Sequence, residues 1–458
     1  MPNPSALIAP ETGSTPDAVT ILEPGAAHTR EALFRRAGIQ AARLTRETAP
    51  GDRCIVSLKN GPDFFAGIAG CWAAGVTPVI LDPLLRSELA FAADMTGATR
   101  VIYSGDTPLP EGLVPVVPEA PTDDAPLAEI PDVDAQTPVL YLFTSGSTGR
   151  PTLVPKTFRQ IEVEVDFIGR LFDAPRRVAG LVPWCHIWGL LSTFFVPLRQ
   201  GGVCDLRSGI SARGILEHAG VQELDLVVGV PVYYQAMVRV LEEGMLPDFH
   251  TSCRFASSSA PLSPEVRGRF KAAAGVGITD IFGSTETGGI AYRREDGPWI
   301  VQPHVEARID DEGRLRVRSP SVSFETEDSF FAIGDLVESV AGGFVLLGRE
   351  DDVVKIGGRR IALGEINRAV EACPGVFHAA TVAENVAGTP RLLTYVEPKD
   401  TSLTSKAVKT FVRSKLADHK VPRTVHIVSS LPLTSSGKLD RRKLQILMKT
   451  STEDANKE

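Results

Sequence analysis

The sequence lacks the features of an exported or membrane-inserted protein. Its first residues, MPNPSALIAPETGSTPDAV, contain neither the basic segment nor the apolar core of a signal peptide. No uncharged apolar run reaches the length that spans a bilayer. We therefore expect a cytoplasmic protein that has no membrane partner.

Cysteines are few, and acidic residues outnumber basic ones by 56 to 48. The chain has six cysteines, which stand singly: Cys54, Cys71, Cys185, Cys204, Cys253 and Cys373. No pair has CxxC or metal-ligand spacing, so we interpret them as buried, reduced thiols. The formal net charge of -8 gives no reason to expect a nucleic-acid partner.

The remaining composition is that of a large globular enzyme or binding protein. The 458 residues, 43% hydrophobic and 23% charged, allow two or three domains. Between residues 17 and 105, helices alternate with short strands, and Asn60 is expected to cap one of the helices. This alternation predicts an α/β fold in which helices cover a parallel sheet. From residue 305 to 344 the apolar period approaches two, which predicts an antiparallel β subdomain.

A segment rich in glycine and hydroxyl groups follows a predicted buried strand at residues 139–143. It reads TSGSTG, from Thr144 to Gly149, and Pro151 stands shortly after it. Glycine lets backbone N–H groups turn toward a bound oxyanion, and the hydroxyls add further donors. This predicts a phosphate-binding loop, although it is not a Walker A loop because no Gly-Lys-Ser/Thr closes it. An ordinary surface turn would explain the segment equally well.

Two other strand ends carry candidate residues. In PWCHIWG, at 183–189, His186 could line a cleft or serve only structure. We reject a catalytic dyad of Cys185 and His186, because neighbours on a strand point to opposite faces. In FGSTETGG, at 282–289, Glu286 could hold Mg²⁺ against phosphate or be a solvated turn residue.

The C-terminal part differs in charge from the rest. Residues 349–458 contain 19 Lys or Arg and 13 Asp or Glu, although the whole chain is acidic. A basic lid could close on phosphates, but an ordinary solvated domain has the same composition. Lys438 lies on a Ser/Gly-rich segment from which it could be delivered to a distant site.

Together these segments resemble the adenylate-forming superfamily of acyl- and aryl-CoA synthetases, nonribosomal peptide adenylation domains and luciferases. The resemblance covers nearly the whole chain. It rests on five motifs in the order of the family: TSGSTG at 144–149, PWCHIWG at 183–189, FGSTETGG at 282–289, GDLV at 334–337 with GREDDVVKIGGRRIALGEI at 348–366, and PLTSSGKLDRRKL at 432–444.

The resemblance implies a role for particular residues. The expected catalytic residues are Lys438, which would bridge the carboxylate and the α-phosphate, Thr285 on the α-phosphate, Glu286 on Mg²⁺, and His186 in the acyl pocket. The expected cofactor-binding residues are Thr144, Ser145, Gly146, Ser147, Thr148, Gly149, Lys156, Ser259, Phe282, Gly283, Asp335, Arg349, Lys355, Gly357 and Gly358. Among these, Phe282 would stack on adenine, and Asp335 with Arg349 would bind the ribose.

The resemblance also implies the architecture and the reaction. A large N-terminal domain of layered α/β sheets with a β subdomain, residues 1–348, would precede a small mobile α+β domain, residues 349–458. ATP and Mg²⁺ would convert a carboxylic acid to an acyl-adenylate, and a thiol would then displace AMP. The small domain would swing about Asp351 between the two half-reactions, replacing Lys438 with the segment around Lys355.

Two departures from the family pattern limit what the resemblance implies. Where the family has lysine after the proline of the phosphate loop, this chain has Thr152, so Lys156 could take its place. Where amino-acid-activating domains have an aspartate, this chain has Ile187, which favours an aryl or aliphatic acid. Trp184, Trp188, Phe194 and Phe195 could shape a flat pocket or belong to the core.

Several functions remain open from the sequence. The acceptor thiol could be coenzyme A or the phosphopantetheine of a separate acyl carrier protein. A catalytically degenerate adenylate-binding protein is an alternative, which the presence of Glu286, Asp335, Arg349 and Lys438 disfavours. A kinase is disfavoured because no kinase loop or catalytic-base motif is found.

Overall fold

The computed structural model describes most of the chain. The described residues are 1–9, 15–84, 88–104, 108–144, 152–209, 211–221, 223–246, 249, 251–324, 326, 328–356, 359–386, 389–399, 402–432, 439 and 443–444. They form two compact units. Unit 1 consists of Met1–Leu262, Val266–Glu295 and Ser319–Thr326, and unit 2 consists of Ser263–Glu265, Asp296–Arg318 and Glu327–Glu458.

Unit 2 therefore contains more than the small domain expected from the sequence. It includes the strands before residue 349 as well as the segment after it. The expected boundary between residues 348 and 349 stays a prediction.

The elements of the first 295 residues alternate between helix and strand. In chain order they are α1 (Ser5–Ile8), β1 (Val19–Glu23), β2 (Ala26–Thr29), α2 (Arg30–Glu47), β3 (Arg53–Ser57), α3 (Pro62–Ala73), β4 (Thr77–Ile80), α4 (Leu89–Thr96), β5 (Arg100–Tyr103), β6 (Val114–Val116), β7 (Pro138–Thr144), β8 (Thr152–Thr157), α5 (Phe158–Leu171), β9 (Arg177–Gly180), α6 (Ile187–Gly189), α7 (Val196–Arg199), β10 (Val203–Asp205), α8 (Ala212–Gly220), β11 (Leu226–Gly229), α9 (Pro231–Glu242), β12 (Arg254–Ser257), α10 (Pro264–Ala274), β13 (Ile278–Ser284) and β14 (Gly288–Arg293). A π-helical segment, Leu190–Phe195, joins α6 to α7.

Two sheets organise unit 1. One has the strand order β6-β5-β3-β4-β7-β8, and only the pairing of β7 with β8 is antiparallel. In the other, the strands of unit 1 follow the order β14-β13-β12-β11-β9-β10-β1-β2. Its central strands from β13 to β1 are parallel, while β14 returns antiparallel to β13. The predicted α/β architecture is confirmed.

The start of α3 differs from the sequence expectation. Gly61 is the N-cap and Pro62 is the first helical residue, a position where proline loses no hydrogen bond. Asn60 is not the cap. Its Oδ1 accepts a hydrogen bond of 2.8 Å from the Trp184 backbone N–H, so the side chain fastens the segment around residue 184.

Aromatic side chains fill the core between α3 and the π-helical segment. Trp184, Phe194 and Phe195 are fully buried, and Trp188 is 6% exposed. Phe64 packs edge-on against both Trp184 and Phe194. The aromatic residues considered as a flat pocket therefore belong to the core, where their large apolar area stabilises the fold.

Unit 2 is built from smaller sheets. Its elements are β15 (Ile300–Val301), β16 (Glu306–Ile309), β17 (Arg314–Arg318), β18 (Phe331–Val340), β19 (Gly343–Arg349), β20 (Val353–Ile356), β21 (Arg359–Ala362), α11 (Leu363–Glu371), β22 (Val376–Val386), β23 (Thr389–Pro398), α12 (Ser405–Lys415) and β24 (Thr424–Ile427). The strands β16-β17-β18-β19 form the predicted antiparallel β subdomain. Helices α11 and α12 share an apolar core with β22, β23 and β24. Among the described residues of both units, no helix is long and apolar enough to cross a membrane.

Candidate active site

The loop between β13 and β14 carries two of the expected catalytic residues. Thr285 and Glu286 lie at its tip, where both are partly exposed. Gly288 adopts a φ of +69°, a conformation that side chains rarely take. A Cβ on Gly283 would approach the Gly288 carbonyl oxygen to 2.2 Å, so the two strands meet closely only because glycine is present. The backbone thus holds a hydroxyl and a carboxylate together at the edge of a sheet.

Helix α5 supports the β13–β14 loop through the buried side chain of Glu164. Glu164 is 4% exposed, and its Oε2 accepts a hydrogen bond of 2.9 Å from the Gly289 N–H. A Cβ on Gly288 would lie 2.6 Å from Glu164 Oε1, so the carboxylate fills the space that the glycine leaves. The carbonyl of Glu286 accepts a hydrogen bond of 2.8 Å from the Ser323 N–H. These contacts fix the backbone on which Glu286 stands.

Lys156 is buried beneath the same loop. Its side chain is 2% exposed, and Nζ donates a hydrogen bond of 3.1 Å to the Ser321 carbonyl. Burial lowers the pKa of Lys156 from 10.5 to about 8, against the opposing effect of the negative charges of Glu164 and Glu286. The lysine therefore places a positive charge close to both carboxylates.

Lys156, Gln160 and Glu164 follow one another at intervals of four residues. Gln160 completes a capping box with Thr157 and donates a hydrogen bond of 2.8 Å to the Val322 carbonyl. All three side chains therefore contact either the β13–β14 loop or the segment 321–322, which lies next to it. For Gln160 and Glu164 the sequence spacing contained this signal, because residues four apart share one helix face, whereas Lys156 lies on β8 before the helix begins.

The expected phosphate loop begins where β7 ends. Thr144 pairs with Thr152 at the end of the antiparallel ladder between β7 and β8. Ser145, Gly146, Ser147, Thr148 and Gly149 lie outside the described residues, as does the side chain of Thr144. Their expected contacts with the phosphates of ATP stay predictions.

His186 stands in a tight turn that precedes α6. Its backbone N–H donates a hydrogen bond of 3.1 Å to the Pro183 carbonyl, and a Cβ on Gly189 would lie 2.3 Å from that same oxygen. Nε2 of His186 lies 3.7 Å from Oδ2 of Asp82, a buried residue two positions after β4. No pattern in the sequence pointed to Asp82 beyond its place at a strand end.

Cys185 and His186 do not lie on a strand, contrary to what the sequence had suggested. These residues lie in a turn, so the alternation of side chains along a strand does not apply. The structure brings Cys185 Sγ, a His186 ring nitrogen and an Asp82 oxygen within 4.8 Å of one another. Burial, and then the charge of Asp82, raise the pKa of the Cys185 thiol far above its usual value. A nucleophilic thiolate remains excluded, now because of its environment.

Ser259, Phe282 and Gly283 lie at one edge of the larger sheet. Strands β12 and β13 are parallel neighbours, with Ser257 paired to Asp280. Ser259 follows β12 with a φ of +73°, an uncommon conformation for a residue with a side chain. Since the carboxyl ends of parallel strands meet at one edge, this is a position where α/β sheets bind ligands.

In unit 2, Asp335 and Arg349 face each other on neighbouring strands. They are Cα partners in the β18–β19 ladder, and Arg349 Nη1 lies 3.2 Å from Asp335 Oδ2. The Asp335 side chain is 17% exposed and the Arg349 side chain is 40% exposed. The two residues expected to bind the ribose are therefore adjacent.

The remaining expected residues are only partly described. Asp351 lies in the 3-10 turn Glu350–Asp352 and Lys355 lies in β20, but their side chains are outside the described part of the structure. Gly357, Gly358 and Lys438 are wholly outside it. Their roles as hinge, lid segment and catalytic lysine stay predictions.

Thr285 and Glu286 offer the oxygen ligands that Mg²⁺ prefers. The two side chains are neighbours on a partly exposed loop, and the loop backbone is fixed by Glu164 and Ser323. These residues therefore fit a magnesium ion that is shared with phosphate oxygens.

Comparisons with known proteins bear on the whole chain. The model of the AMP-binding enzyme family matches residues 11–323, and the model of the AMP-binding enzyme C-terminal domain matches residues 365–438. An anthranilate–CoA ligase from Pseudomonas aeruginosa is 27% identical over 91% of this chain and 90% of its own length.

Two solved structures share the fold. ATP-bound MatB from Rhodopseudomonas palustris superimposes with a TM-score of 0.83 at 22% identity, over 97% of this chain and 98% of its own. The O-succinylbenzoate coenzyme A synthetase of Bacillus subtilis, solved with ATP and a magnesium ion, gives 0.81 at 19% identity, over 94% and 97%. The predictions of an adenylate-forming fold and of an acid-activating ligase are confirmed. With well over half of its residues matched by the family model, the chain belongs to the AMP-binding enzyme family.

Proposed function

We propose that this enzyme uses ATP to convert a carboxylic acid to its acyl-adenylate, and then transfers the acyl group to the thiol of coenzyme A. The acid is proposed to be an aryl acid or another acid without an α-amino group. The observation that carries the proposal is the β13–β14 loop, which presents Thr285 and Glu286 on a backbone fixed by the buried Glu164.

In the first half-reaction, an oxygen of the substrate carboxylate attacks the α-phosphorus of ATP. A new oxygen–phosphorus bond forms, the bond to the bridging oxygen of the β-phosphate breaks, and pyrophosphate leaves. The Thr285 hydroxyl donates a hydrogen bond to the α-phosphate, where charge builds up, and such preorganised donors contribute strongly to catalysis. Glu286 would hold Mg²⁺, which when bound neutralises part of the phosphate charge.

Asp335 and Arg349 fit the recognition of the ribose. A carboxylate that accepts two hydrogen bonds from vicinal hydroxyls needs a fixed orientation, and the 3.2 Å contact with Arg349 supplies one. In the second half-reaction, the thiol attacks the acyl carbon, a carbon–sulfur bond forms, and the bond to AMP breaks. In this scheme Lys438 acts in the first half-reaction and not in the second.

The buried position of Lys156 supports a structural role in the site. Its ammonium contacts the Ser321 carbonyl and lies among carboxylates that support the loop, so it stabilises the position of Glu286. A direct contact between Lys156 and the phosphates stays a prediction.

The class of acid is proposed from Ile187 and from the relatives. Ile187 packs against the apolar core, and it offers no carboxylate to pair with an α-amino group. One curated relative is an anthranilate–CoA ligase. Both observations favour an aryl acid over an amino acid.

The proposal is tested by pyrophosphate release from the full chain with ATP, Mg²⁺ and a panel of benzoic, cinnamic, aliphatic and amino acids, each with and without coenzyme A. We expect release that depends on an aryl acid, together with accumulation of the acyl-CoA. Release without any acyl-CoA would favour a carrier protein as the acceptor. Absence of release with every acid would refute the proposal and favour a degenerate adenylate-binding protein.

Two matched variants test whether Glu286 takes part in the reaction. Glu286→Gln should reduce pyrophosphate release by at least about 100-fold, because it removes the charge expected to hold Mg²⁺. Glu243→Gln, a change of an exposed glutamate just after α9, should leave the rate unchanged. Equal rates in the two variants would remove Glu286 from the site.

A further inference from the structure

Three side chains with different ligand atoms meet near the start of α6. Asp82 follows β4, while Cys185 and His186 lie in the turn about a hundred residues later. Their nearest carboxylate oxygen, sulfur and ring nitrogen all lie within 4.8 Å of one another, and His186 Nε2 is 3.7 Å from Asp82 Oδ2. The 3.7 Å separation is similar to that between two ligand atoms of one tetrahedral Zn²⁺ ion, whereas the 4.8 Å limit for the whole group is wider.

The backbone around the three residues is fixed by local contacts. Asp82 Oδ1 accepts a hydrogen bond of 2.9 Å from the Leu84 N–H, which orients the carboxylate. The turn that carries Cys185 and His186 is fastened by Asn60 on the Trp184 N–H. Trp184 itself is fully buried, and its Nε1 donates to the Thr193 hydroxyl. These contacts hold the backbone of the three residues in place.

The donor set distinguishes between classes of cation. Thiolate sulfur and imidazole nitrogen suit borderline ions such as Zn²⁺, whereas Mg²⁺ and Ca²⁺ prefer oxygen ligands alone. One thiolate and one carboxylate together carry two negative charges, which a divalent cation neutralises in a largely buried place. Without a cation, burial and Asp82 raise the pKa of Cys185, so metal binding would release the thiol proton.

We propose that Asp82, Cys185 and His186 form a three-ligand site for Zn²⁺, with a fourth position open on the partly exposed side of His186. Asp82 and Cys185 are each 7% exposed, whereas the His186 side chain is 26% exposed, so an ion would enter from the histidine side. The site is distinct from the magnesium site expected at Glu286, because it consists of other residues and includes sulfur and nitrogen donors.

Occupation of this site has a consequence for catalysis, which rests on the proposed function. His186 is expected in the acyl pocket, and a ring nitrogen bound to Zn²⁺ would fix the imidazole toward Asp82. Zn²⁺ would therefore inhibit acid activation while the ATP site remains intact.

The binding test uses cobalt as a spectroscopic probe of the metal-free full chain. Co²⁺ bound by a thiolate gives a charge-transfer absorption, and its visible bands report tetrahedral geometry. We expect both signals at one equivalent of Co²⁺, and their loss when Zn²⁺ is added. Absence of the thiolate band would overturn the proposal.

Matched cysteine variants identify the ligand. Cys185→Ser should abolish the thiolate band and weaken Zn²⁺ binding by more than about 100-fold, because loss of a direct ligand exceeds the effect of outer contacts. Cys253→Ser replaces another buried cysteine, whose Sγ contacts a backbone carbonyl, and should keep the band. A band that persists in Cys185→Ser would place the cobalt on another cysteine and overturn the assignment. Circular dichroism of both variants verifies that each is folded.

Inhibition is measured separately, as pyrophosphate release at fixed Mg²⁺ and ATP with increasing Zn²⁺. Measured against its own rate without Zn²⁺, Cys185→Ser should resist inhibition, whereas Cys253→Ser should be inhibited as the unaltered enzyme is. Equal inhibition of both variants would overturn the link between the metal site and His186. A cobalt band without any acid-dependent release would contradict only the proposed function, and release without a cobalt band would contradict only the metal site.

Discussion

The charge of Lys156 offers a quantitative test of the buried network beneath the β13–β14 loop. Replacing Lys156 by Met keeps most of the side-chain length and removes the ammonium group, which is buried and donates to the Ser321 carbonyl. The pKa of Lys156 is lowered from 10.5 to about 8, chiefly by burial. Since each tenfold change in a protonation equilibrium corresponds to about 1.4 kcal/mol, this lowering corresponds to about 3 kcal/mol.

The sign of the pH effect follows from the two protonation states. Below pH 8 the lysine is charged in both the folded and the unfolded chain, and the folded chain bears the full cost of the buried charge. Between pH 8 and 10.5 the folded state releases its proton first, so the unfolded state binds more protons and stability rises with pH. The unaltered protein should therefore gain about 3 kcal/mol of unfolding free energy relative to Lys156→Met across this window.

The assay is urea unfolding followed by tryptophan fluorescence at pH 7, 8, 9 and 10. Three of the four tryptophans, Trp72, Trp184 and Trp188, lie in unit 1, so the signal reports mainly the unit that contains Lys156. The difference in unfolding free energy between the unaltered protein and Lys156→Met is used, because the titration of groups common to both proteins cancels in it. Lys271→Met, which removes an exposed lysine of α10, is the control variant. If the unfolding free energy of the unaltered protein minus that of Lys156→Met stays constant or falls between pH 8 and 10, the lowered pKa of Lys156 is refuted.

Three further substitutions test the catalytic scheme and its support. Lys438→Ala should abolish acid-dependent pyrophosphate release but spare thioester formation from a supplied acyl-adenylate; measured loss of both activities would contradict its role in the first half-reaction. Gly288→Ala should lower the unfolding free energy by at least about 2 kcal/mol and slow pyrophosphate release, because φ is +69° and the new Cβ would lie 2.6 Å from Glu164 Oε1. Unchanged urea unfolding would show that the loop tolerates a side chain there. Asp351→Pro should slow thioester formation more than adenylation in single-turnover assays, and equal slowing would argue against a hinge at this residue.

Local patterns in the sequence accounted for much of the fold. Apolar spacing predicted the alternation of helices and strands between residues 17 and 105, a region that contains α2 at Arg30–Glu47 and β3 at Arg53–Ser57. The shift to a period of two located the antiparallel strands of unit 2. These patterns work because each records which side of a helix or strand faces the core, a property of neighbouring residues.

The misassignments came from contacts between distant segments. Asn60 has the composition of a helix cap, yet its side chain bonds to the backbone of Trp184 instead. Cys185 and His186 were judged as strand neighbours, whereas they lie in a turn beside Asp82. In each case the deciding partner is more than a hundred residues away in the chain, and no local pattern records it.

The sequence by itself determined the family and the order of the expected site motifs, because these depend on short runs of residues that keep their chemistry wherever the chain places them. Only the tertiary structure decided which buried residues support those motifs. Strand β8 and helix α5 pack beneath the β13–β14 loop, so that Lys156 on β8 and Glu164 on α5 become buried supports. Burial and electrostatic environment depend on such long-range packing, and they decide which charged side chains support the site and which are solvated.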